Sequence, residues 1–293
     1  MLLSASKEAS CRVLNELQAV ELRLVSAKVY NKNTKLQYVR KYKPHRDDVK
    51  HLRILLHGPV GAGKSSFINS VESVLQGRIT GRAPAEANTS ESFTKKYQTY
   101  KIQKGRPRDF YPFVFNDTMG LEMKEDRGVH PGDIKLALKG HVKDGYTFNP
   151  ASKLSSDNHY YNAQPTLNDK VHVLVCIVPA DKILLLTKDD VKKMKDIRET
   201  ASDLGIPQLA VLTRIDLACP LIKEDLKNVY KSKNLKEKME KFSQLVGIPM
   251  NCIFPVKNYS EEIDVDSEVD SLILSALRRI ISSGEDFIND MET

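Results

Sequence analysis

The chain has 293 residues, of which 41% are hydrophobic, and its 45 Lys and Arg against 38 Asp and Glu give a net charge of +7. This composition is ordinary for a globular protein with a sizeable core, and it excludes a collagen-like chain. The longest apolar run, Val171 to Ala180, has the length of a strand, so no membrane span is expected. The start of the chain lacks a signal-peptide core and the four cysteines are far apart. We therefore expect a reducing, cytoplasmic location.

The charge is unevenly distributed along the chain. Residues 1–50 carry 11 basic and 5 acidic side chains, whereas residues 259–293 carry 2 and 10. A basic chain is compatible with nucleic-acid binding, because Lys and Arg displace counterions from phosphates. No basic ribbon interleaved with aromatics and no zinc-finger pattern accompanies the charge, so a solvated surface of mixed sign is the favoured interpretation. We do not expect nucleic acid as a partner.

Residues 1–46 are predicted to form a basic, helical N-terminal segment or linker. One helical face collects four aliphatic residues at spacings of four, three and four: Val13, Leu17, Val20 and Leu24. Such a face must pack either on the main domain or on a partner, and we favour the main domain. A polar stretch, Asn31–Asp48, follows it. The remaining residues, 47–293, are predicted to form a single domain.

From His51 onward, short apolar runs alternate with helical patterns. The predicted strands are Arg53–His57, Gln98–Gln103, Tyr111–Asn116, His172–Pro179, Gln208–Thr213 and Cys252–Val256. The predicted helices are Lys64–Gln76, Ile134–Val142, Lys188–Leu204, Leu221–Val246 and Val269–Ile281. This alternation predicts an α/β fold with a mostly parallel sheet and helices on both faces, and the apolar run Val173–Val178 is expected at its centre. Residues 143–169 lack periodicity and are predicted to be an insertion.

Residues 58–66 read GPVGAGKSS and lie between an apolar strand and a helix, which is the setting of a phosphate-binding loop. Its glycines let backbone amides curl around an anion, and the helix N-terminus favours negative charge. Lys64 would contact the β- and γ-phosphates, and Ser65 would ligate Mg²⁺. The alternative is a plain glycine turn. The residues predicted to bind the nucleotide here are Gly58, Gly61, Gly63, Lys64, Ser65 and Ser66.

A second element, Asp117-Thr118-Met119-Gly120, follows a predicted strand. After a phosphate loop, Asp117 is predicted to hold Mg²⁺ through water, and the Gly120 amide is predicted to meet a γ-phosphate. Taken alone, the same four residues could be an ordinary Asp–Gly turn.

A third element, Thr213-Arg214-Ile215-Asp216, indicates guanine rather than adenine. The Asp216 carboxylate could accept hydrogen bonds from both nitrogen donors of guanine, a donor pair that adenine lacks. GTPases usually carry Asn/Thr-Lys-x-Asp here, so Arg214 replaces a lysine; its planar head could still lie over the base. The alternative is that Asp216 caps a helix around residues 220–229. Asn258, after the last predicted strand, is assigned to the guanine-closing loop by position.

The first switch is expected between residues 77 and 97, where one hydroxyl would reach Mg²⁺ when a γ-phosphate is present. We favour Thr94, which lies just before the second strand, with Thr89 as runner-up among five candidates that also include Thr80, Ser90 and Ser92. The alternative is a polar loop without metal contact. The predicted metal ligands are therefore Ser65, Thr94 and Asp117, and the predicted cofactors are GTP or GDP with Mg²⁺.

Four runs together resemble the interferon-induced protein 44 family, its 44-like branch in particular: ILLHGPVGAGKSSFINSV, FNDTMGL, LTRID and the terminal NYS…DSLILSALRRI. The resemblance covers about His51 to Asp290. It implies a P-loop GTPase-like fold, cytoplasmic residence and a role in interferon-driven antiviral defence and innate immunity. Family members also resemble proteins with an upstream TLD-type domain. This chain begins without one, so we expect a truncated form in which residues 1–46 are a leftover linker.

Hydrolysis is expected to be slow. Many GTPases place a glutamine directly after Asp-x-x-Gly to orient the attacking water, and here that position is Leu121. Glu122, Glu125, Asp126 and His130 lie in the loop that follows. The imidazole of His130 could act as a base near neutral pH, or it could be a solvated loop histidine.

Three classes of function remain open from the sequence. The first is a GTP-binding switch or slow GTPase that presents a nucleotide-dependent surface to a protein partner or to a second copy. The second is an interaction module on a GTPase fold, in which nucleotide binding is vestigial or constitutive. The third is another phosphate-loop enzyme such as an ATPase.

Overall fold

The computed structural model describes residues 31–84, 95–121 and 128–291. They contain a six-stranded sheet with the strand order β2-β3-β1-β4-β5-β6. All neighbouring strands are parallel except β2, which runs antiparallel to β3 at one edge. The strands are β1 Leu52–His57, β2 Gln98–Gln103, β3 Phe110–Asp117, β4 Val173–Pro179, β5 Gln208–Thr213 and β6 Ile253–Pro255. The mostly parallel sheet predicted from the sequence is confirmed.

Helices precede, connect and follow these strands. They are α1 Lys32–Lys41, α2 Lys64–Gln76, α3 Pro131–Leu138, α4 Lys188–Asp203, α5 Ile215–Ala218, α6 Pro220–Glu224, α7 Lys233–Val246 and α8 Ser267–Asp290. Across the described ranges, no helix combines the length and the apolar character needed to cross a membrane.

The sheet divides the core into two layers, because successive side chains of a strand point to opposite faces. Along β4, the residues Val173, Val175 and Ile177 pack with α1, α2 and α8. The intervening residues of β4 pack with α3, α4 and α7. All seven residues of β4 are buried, since the strand lies between β1 and β5 and is covered on both faces. The central position predicted for this strand is confirmed.

Three helix predictions were wrong in extent. The helix expected over Ile134–Val142 begins at Pro131 and ends at Leu138, as α3. The single helix expected over Leu221–Val246 is broken, because Asp225 is extended (φ −150°, ψ 115°) and ends α6, and Ser232 caps a new helix, α7. The helix expected to stop at Ile281 runs to Asp290 as α8. In addition, the polar stretch Asn31–Asp48 contains a helix, α1.

Helix α1 is bound to α8 by polar contacts as well as by packing. The Lys32 ammonium lies 2.6 Å from the carboxylate of Asp270, and the Tyr42 hydroxyl donates to Glu285 at 2.6 Å. Both carboxylates belong to α8 and are almost fully buried. The described part of the N-terminal segment thus packs on the domain that follows it, whereas the aliphatic residues between 13 and 24 lie outside the described residues.

Residues 143–169, all described, contain neither a helix nor a strand. Their backbone pairs with the residues that precede β2, since the Tyr97 amide donates to the Tyr146 carbonyl at 2.7 Å. The buried carboxylate of Asp133, on α3, accepts hydrogen bonds from the Tyr146 hydroxyl and from the Leu154 amide. Burial raises the pKa of Asp133, which these hydrogen bonds partly offset. The segment is therefore a loop anchored to both α3 and the start of β2.

Candidate functional site

The phosphate loop between β1 and α2 is closely packed against its neighbours. Gly58 has φ +145°, and a Cβ placed there would lie 2.0 Å from the carbonyl oxygen of Ile177 on β4. Gly63 has φ +88° at the start of α2, and its Cβ would lie 2.9 Å from the side-chain nitrogen of Asn258. Only glycine adopts these angles without strain and also leaves room for the neighbouring groups.

Lys64 is buried at the start of α2, and its ammonium donates to the carbonyls of Gly58 at 3.3 Å and Pro59 at 3.2 Å. Burial lowers the pKa of Lys64, and the negative charge of Asp117 opposes that shift. Neutral carbonyls compensate only part of the cost of desolvating an ammonium. The loop therefore favours an anion beside Lys64, as a phosphate would provide.

Ser65 and Asp117 meet although 52 positions separate them in the chain. Parallel pairing of β1 with β3 brings the ends of the two strands together, and the Ser65 hydroxyl donates to Asp117 at 2.6 Å. A hydroxyl beside a carboxylate is an oxygen pair suited to Mg²⁺, which usually takes its other ligands from phosphates and water. Within the described ranges, no three His, Cys, Asp or Glu side chains group into a metal cluster. Ser66 follows on α2, where its carbonyl accepts from the Ser70 hydroxyl.

The Asp-x-x-Gly element lies across the phosphate loop. The Leu121 amide donates to the Gly58 carbonyl at 2.9 Å, and the Val60 amide donates to the Leu121 carbonyl at 3.3 Å. Gly120 touches Val60 so closely that a Cβ would lie 2.5 Å from its side chain. The Leu121 side chain is itself buried.

His130 caps α3: its Nδ1 accepts a hydrogen bond from the Gly132 amide at 3.0 Å. This contact gives the histidine a structural role at the start of α3. The other candidates for a catalytic group in this loop, Glu122, Glu125 and Asp126, lie outside the described residues.

The predicted guanine-binding residues gather at the other end of the phosphate loop. The Thr213 hydroxyl donates to the Ala62 carbonyl at 2.7 Å, and the Asn258 amide donates to the Gly63 carbonyl at 3.1 Å. The side-chain carbonyl oxygen of Asn258, Oδ1, is buried without a hydrogen-bond partner among the described residues. An acceptor in that position would gain from a donor on a ligand.

Asp216 lies half-buried in the first turn of α5, after Arg214 has taken a left-handed conformation (φ 55°). It does not cap the next helix, because the N-cap of α6 is Cys219. Burial lowers the pKa of Lys257, but its hydrogen bond to Glu262 and the charges of Glu262 and Asp216 outweigh burial, so the pKa is raised. A lysine close to Asp216 therefore lies at this end of the site.

The candidate switch hydroxyls divide into two groups. Thr80 bonds to Ser73 and Asn69 near the end of α2, far along that helix from Ser65. Thr94, Thr89, Ser90 and Ser92 lie outside the described residues, so the choice of Thr94 as a metal ligand stays a prediction.

Tyr259 is the residue of this region that the sequence did not reveal. Tyr259 belongs to none of the nucleotide-binding motifs. Its backbone amide donates to the Ser70 hydroxyl on α2 at 2.9 Å, and its side-chain hydroxyl donates to Asp270 on α8 at 2.6 Å. Tyr259 thus fixes the loop that carries Asn258 to two helices. In the sequence Tyr259 lies within the Asn258-Tyr259-Ser260 run, but no role was assigned to it.

The sheet order, the glycine loop before α2 and the loops at the ends of β3, β5 and β6 define a P-loop GTPase-like α/β domain. No protein-family model matches the chain. Human interferon-induced protein 44 is 37% identical over 256 residues, which are 87% of this chain and 57% of that protein. The mouse protein 44 is 37% identical, with coverage of 87% and 60%, and human interferon-induced protein 44-like is 33% identical, with coverage of 92% and 59%. These matches confirm the relationship to the interferon-induced protein 44 family. The chain spans somewhat more than half the length of the relatives it matches.

Solved structures with a similar arrangement include a probable GTP-binding protein, engB, at 14% identity and a TM-score of 0.44, with 80% of this chain and 99% of that one covered. Another is Toc33 from Arabidopsis thaliana in complex with GDP and Mg²⁺, at 14% identity and a TM-score of 0.45, with coverage of 84% and 90%.

Proposed function

We propose that the protein binds GTP or GDP together with Mg²⁺ and acts as a nucleotide-dependent switch with slow hydrolysis. One observation carries the proposal: a buried lysine, Lys64, lies beside the Ser65–Asp117 pair under a glycine loop. A buried ammonium, an Mg²⁺-type oxygen pair and a helix N-terminus all favour one kind of ligand, a polyphosphate with its metal ion.

At the phosphate end, Lys64 would neutralise the β- and γ-phosphates, and the amides of Gly61, Gly63 and Ser66 would surround them. Ser65 and Asp117 would hold Mg²⁺, which supplies charge neutralisation to the phosphates when it is bound. Thr94 is proposed as a further ligand in the triphosphate state.

At the base end, Asp216 would accept two hydrogen bonds from guanine, and Arg214 would lie over the ring. The unpartnered Oδ1 of Asn258 supports a ligand donor at this end. Because adenine does not offer the donor pair that Asp216 needs, we expect selection of guanine over adenine.

Slow hydrolysis follows from Leu121. Its side chain is buried and carries no polar group, so it cannot orient the attacking water. The proposed contacts of the nucleotide do not require a polar side chain at position 121. We expect occupancy without rapid turnover, with basal hydrolysis of about 10⁻³ s⁻¹ or slower, as in unstimulated small GTPases.

The cellular role is proposed from the relatives alone. Their names link them to interferon induction, and we propose that this chain acts in cytoplasmic antiviral defence through a protein partner or self-association at its switch loops. Because the chain spans only part of those relatives, the cellular role is a separate proposal that does not follow from nucleotide binding.

A second candidate is a module that binds nucleotide constitutively and does not switch. The backbone hydrogen bonds between Leu121 and the phosphate loop favour it, because they hold the residue that follows the Asp-x-x-Gly element in place. If the module does not switch, GDP and GTP should give equal protection of residues 118–131 from hydrogen exchange.

Calorimetry of three variants tests the proposal. Lys64→Ala should weaken GTP binding by at least about tenfold, because it removes the charge on the β- and γ-phosphates. Ser65→Ala should instead reduce the gain in affinity that Mg²⁺ provides. Lys241→Ala, which removes an exposed lysine of α7, is the matched control and should bind as the parent does. Unchanged GTP binding in both Lys64→Ala and Ser65→Ala would overturn the proposal.

A further inference from the structure

A cavity of about 360 Å³ lies at the amino ends of β4 and β5. Val171 precedes β4 and Ile206 precedes β5, and both side chains line the cavity. The phosphate loop follows the carboxyl end of β1, which runs parallel to β4, so that loop lies at the opposite end of the sheet. The cavity is therefore separate from the nucleotide site, and its volume falls within the range of about 300–1,000 Å³ that is usual for ligand sites.

The walls of the cavity are mainly apolar. Leu138 of α3, Val171 and Ile206 are buried in the core that backs it. Leu204, directly after α4, and Phe287, on α8, are half-buried beside it. Apolar side chains next to a cavity lack the van der Waals contacts that a packed neighbour would supply. An apolar ligand would supply those contacts and would remove apolar surface from water.

The polar part of the lining is basic. It consists of Lys139, which is exposed, and of Lys170 and His141, which are half-buried, and it includes no carboxylate. Neither lysine has an ion-pair partner in the part of the chain that the structure describes. Asp169, next to Lys170, accepts instead from the amide of Thr166 at 2.8 Å and from its hydroxyl at 2.7 Å. The cavity thus combines an apolar interior with two lysines that no acid in the described ranges neutralises.

The ring of His141 is held in place by two contacts. It stacks on Tyr161 with the ring centroids 5.1 Å apart, and its Nδ1 lies 2.8 Å from the carbonyl oxygen of Asn162. Because a carbonyl can only accept, Nδ1 carries the hydrogen of this bond, and Nε2 is the nitrogen that can meet a ligand. A histidine fixed in this way adds an oriented polar group to the cavity beside the two lysines.

We propose that the cavity binds an aliphatic carboxylate, of the class of the medium-chain fatty acids. Its chain would lie against the apolar walls, and its carboxylate would lie between Lys139 and Lys170. No arginine, whose planar fork suits a phosphate, is among the lining residues, and single ammonium groups are sufficient for a carboxylate. The proposal goes beyond nucleotide binding and does not require it, because the cavity shares no residue with the phosphate loop.

The experiment titrates the full chain with decanoate below its micelle concentration. Calorimetry of the parent should show saturable binding, and decan-1-ol, which has the same chain length without the charge, should bind at least about fivefold more weakly. The chain has no tryptophan, so Phe287→Trp introduces a fluorophore that reports on the cavity alone, and its emission should shift to the blue as decanoate binds. In that background, Lys139→Gln with Lys170→Gln should weaken decanoate binding at least about fivefold and leave decan-1-ol unaffected. Lys241→Gln, on α7, is the control and should bind decanoate as the parent does.

Three results would overturn the proposal: a parent that shows no saturable binding of decanoate, equal binding of decanoate and decan-1-ol, or a double lysine variant that binds decanoate as the parent does. Binding by calorimetry without any change in the tryptophan emission would also overturn it, because the ligand would then lie elsewhere. Should Phe287→Trp fail to fold by circular dichroism, Met291→Trp replaces it, since Met291 lines the same cavity. Lys64→Ala should bind decanoate as the parent does, so failure of the proposed nucleotide binding is distinguished from failure of this proposal.

Discussion

Two buried histidines should make the protein sensitive to acid. Burial lowers the pKa of His57, at the end of β1, to about 3, and the nearby Lys64 lowers it further. Burial, opposed by a hydrogen bond with the Leu167 carbonyl, lowers the pKa of His172 to about 4. The His172 ring is neutral, since its Nδ1 accepts from the Arg53 amide while the other nitrogen lies 3.0 Å from that carbonyl.

The sign of the effect follows from proton binding. An unfolded histidine has a pKa of about 6.5, so below that pH the unfolded chain binds protons that the folded chain does not. Stability is therefore full above about pH 6.5 and is lost as the pH falls toward the folded values. At pH 5, which lies about 1.5 pH units below the pKa of an unfolded histidine, the free energy of unfolding has fallen by about 2 kcal/mol for each histidine. Against a typical stability of 5–15 kcal/mol, a loss of about 4 kcal/mol from the pair is large.

The variant His57→Leu isolates one of the two groups. Urea denaturation at about pH 7.5 and pH 5 should show that the variant loses about 2 kcal/mol less than the parent between the two pH values. The comparison of losses, rather than of absolute stabilities, removes the effect of packing a leucine at this site. His159→Gln, which changes an exposed histidine, is the control and should lose as much as the parent. An equal loss in His57→Leu and the parent would refute the assignment of acid sensitivity to His57.

Three further outcomes are expected from the site. Asp216→Ala should reduce the preference for GDP over ADP by at least about tenfold in competition binding, because two charge-assisted hydrogen bonds are lost; an unchanged preference would contradict the role of Asp216. Gly58→Ala should unfold the loop or abolish nucleotide binding, because its Cβ would lie 2.0 Å from a carbonyl oxygen. In Gly61→Ala the new Cβ meets no atom within 4 Å, so urea denaturation should show a loss of stability of only about 1–2 kcal/mol, from left-handed backbone strain. Leu121→Gln should not raise single-turnover GTP hydrolysis, and a tenfold increase would contradict that expectation.

The strands and the phosphate loop could be predicted because their signals are local. An apolar run bounded by turn residues defines β4, and β2, β5 and α2 have the bounds that the pattern predicted. Because these signals are local, they also misplaced some helix ends. The helix was predicted to end at Ile281, but Gly284 lies inside α8, where a Cβ would come within 2.4 Å of Val173 and 2.5 Å of Leu52. The glycine is there for close packing of the helix on the sheet, which no pattern within the helix itself reveals.

Contacts between distant residues could not be read from the sequence. Lys32 and Asp270 are separated by most of the chain. The sequence pattern placed the helix of the N-terminal segment around residues 13–24 and did not predict a helix in the polar stretch that packs on α8. Motif spacing predicted the individual residues of the site, and parallel pairing of the strands supplied the arrangement that brings Ser65 to Asp117. Tyr259 was missed because it has no motif of its own.

Leu121 shows how the sequence and the structure give different meanings to one residue. In the sequence it stands where a water-orienting glutamine is usual, so it indicated only that this catalytic side chain is missing. In the structure its amide and carbonyl both bond to the phosphate loop, and its side chain is buried. A glutamine there would have to bury an amide, at a cost of about 1–3 kcal/mol without a partner, or turn outward and break the backbone bonds. Either outcome disturbs the loop that is proposed to hold the phosphates. Restoring the usual side chain therefore does not restore the usual geometry, and faster hydrolysis would require a group delivered from elsewhere.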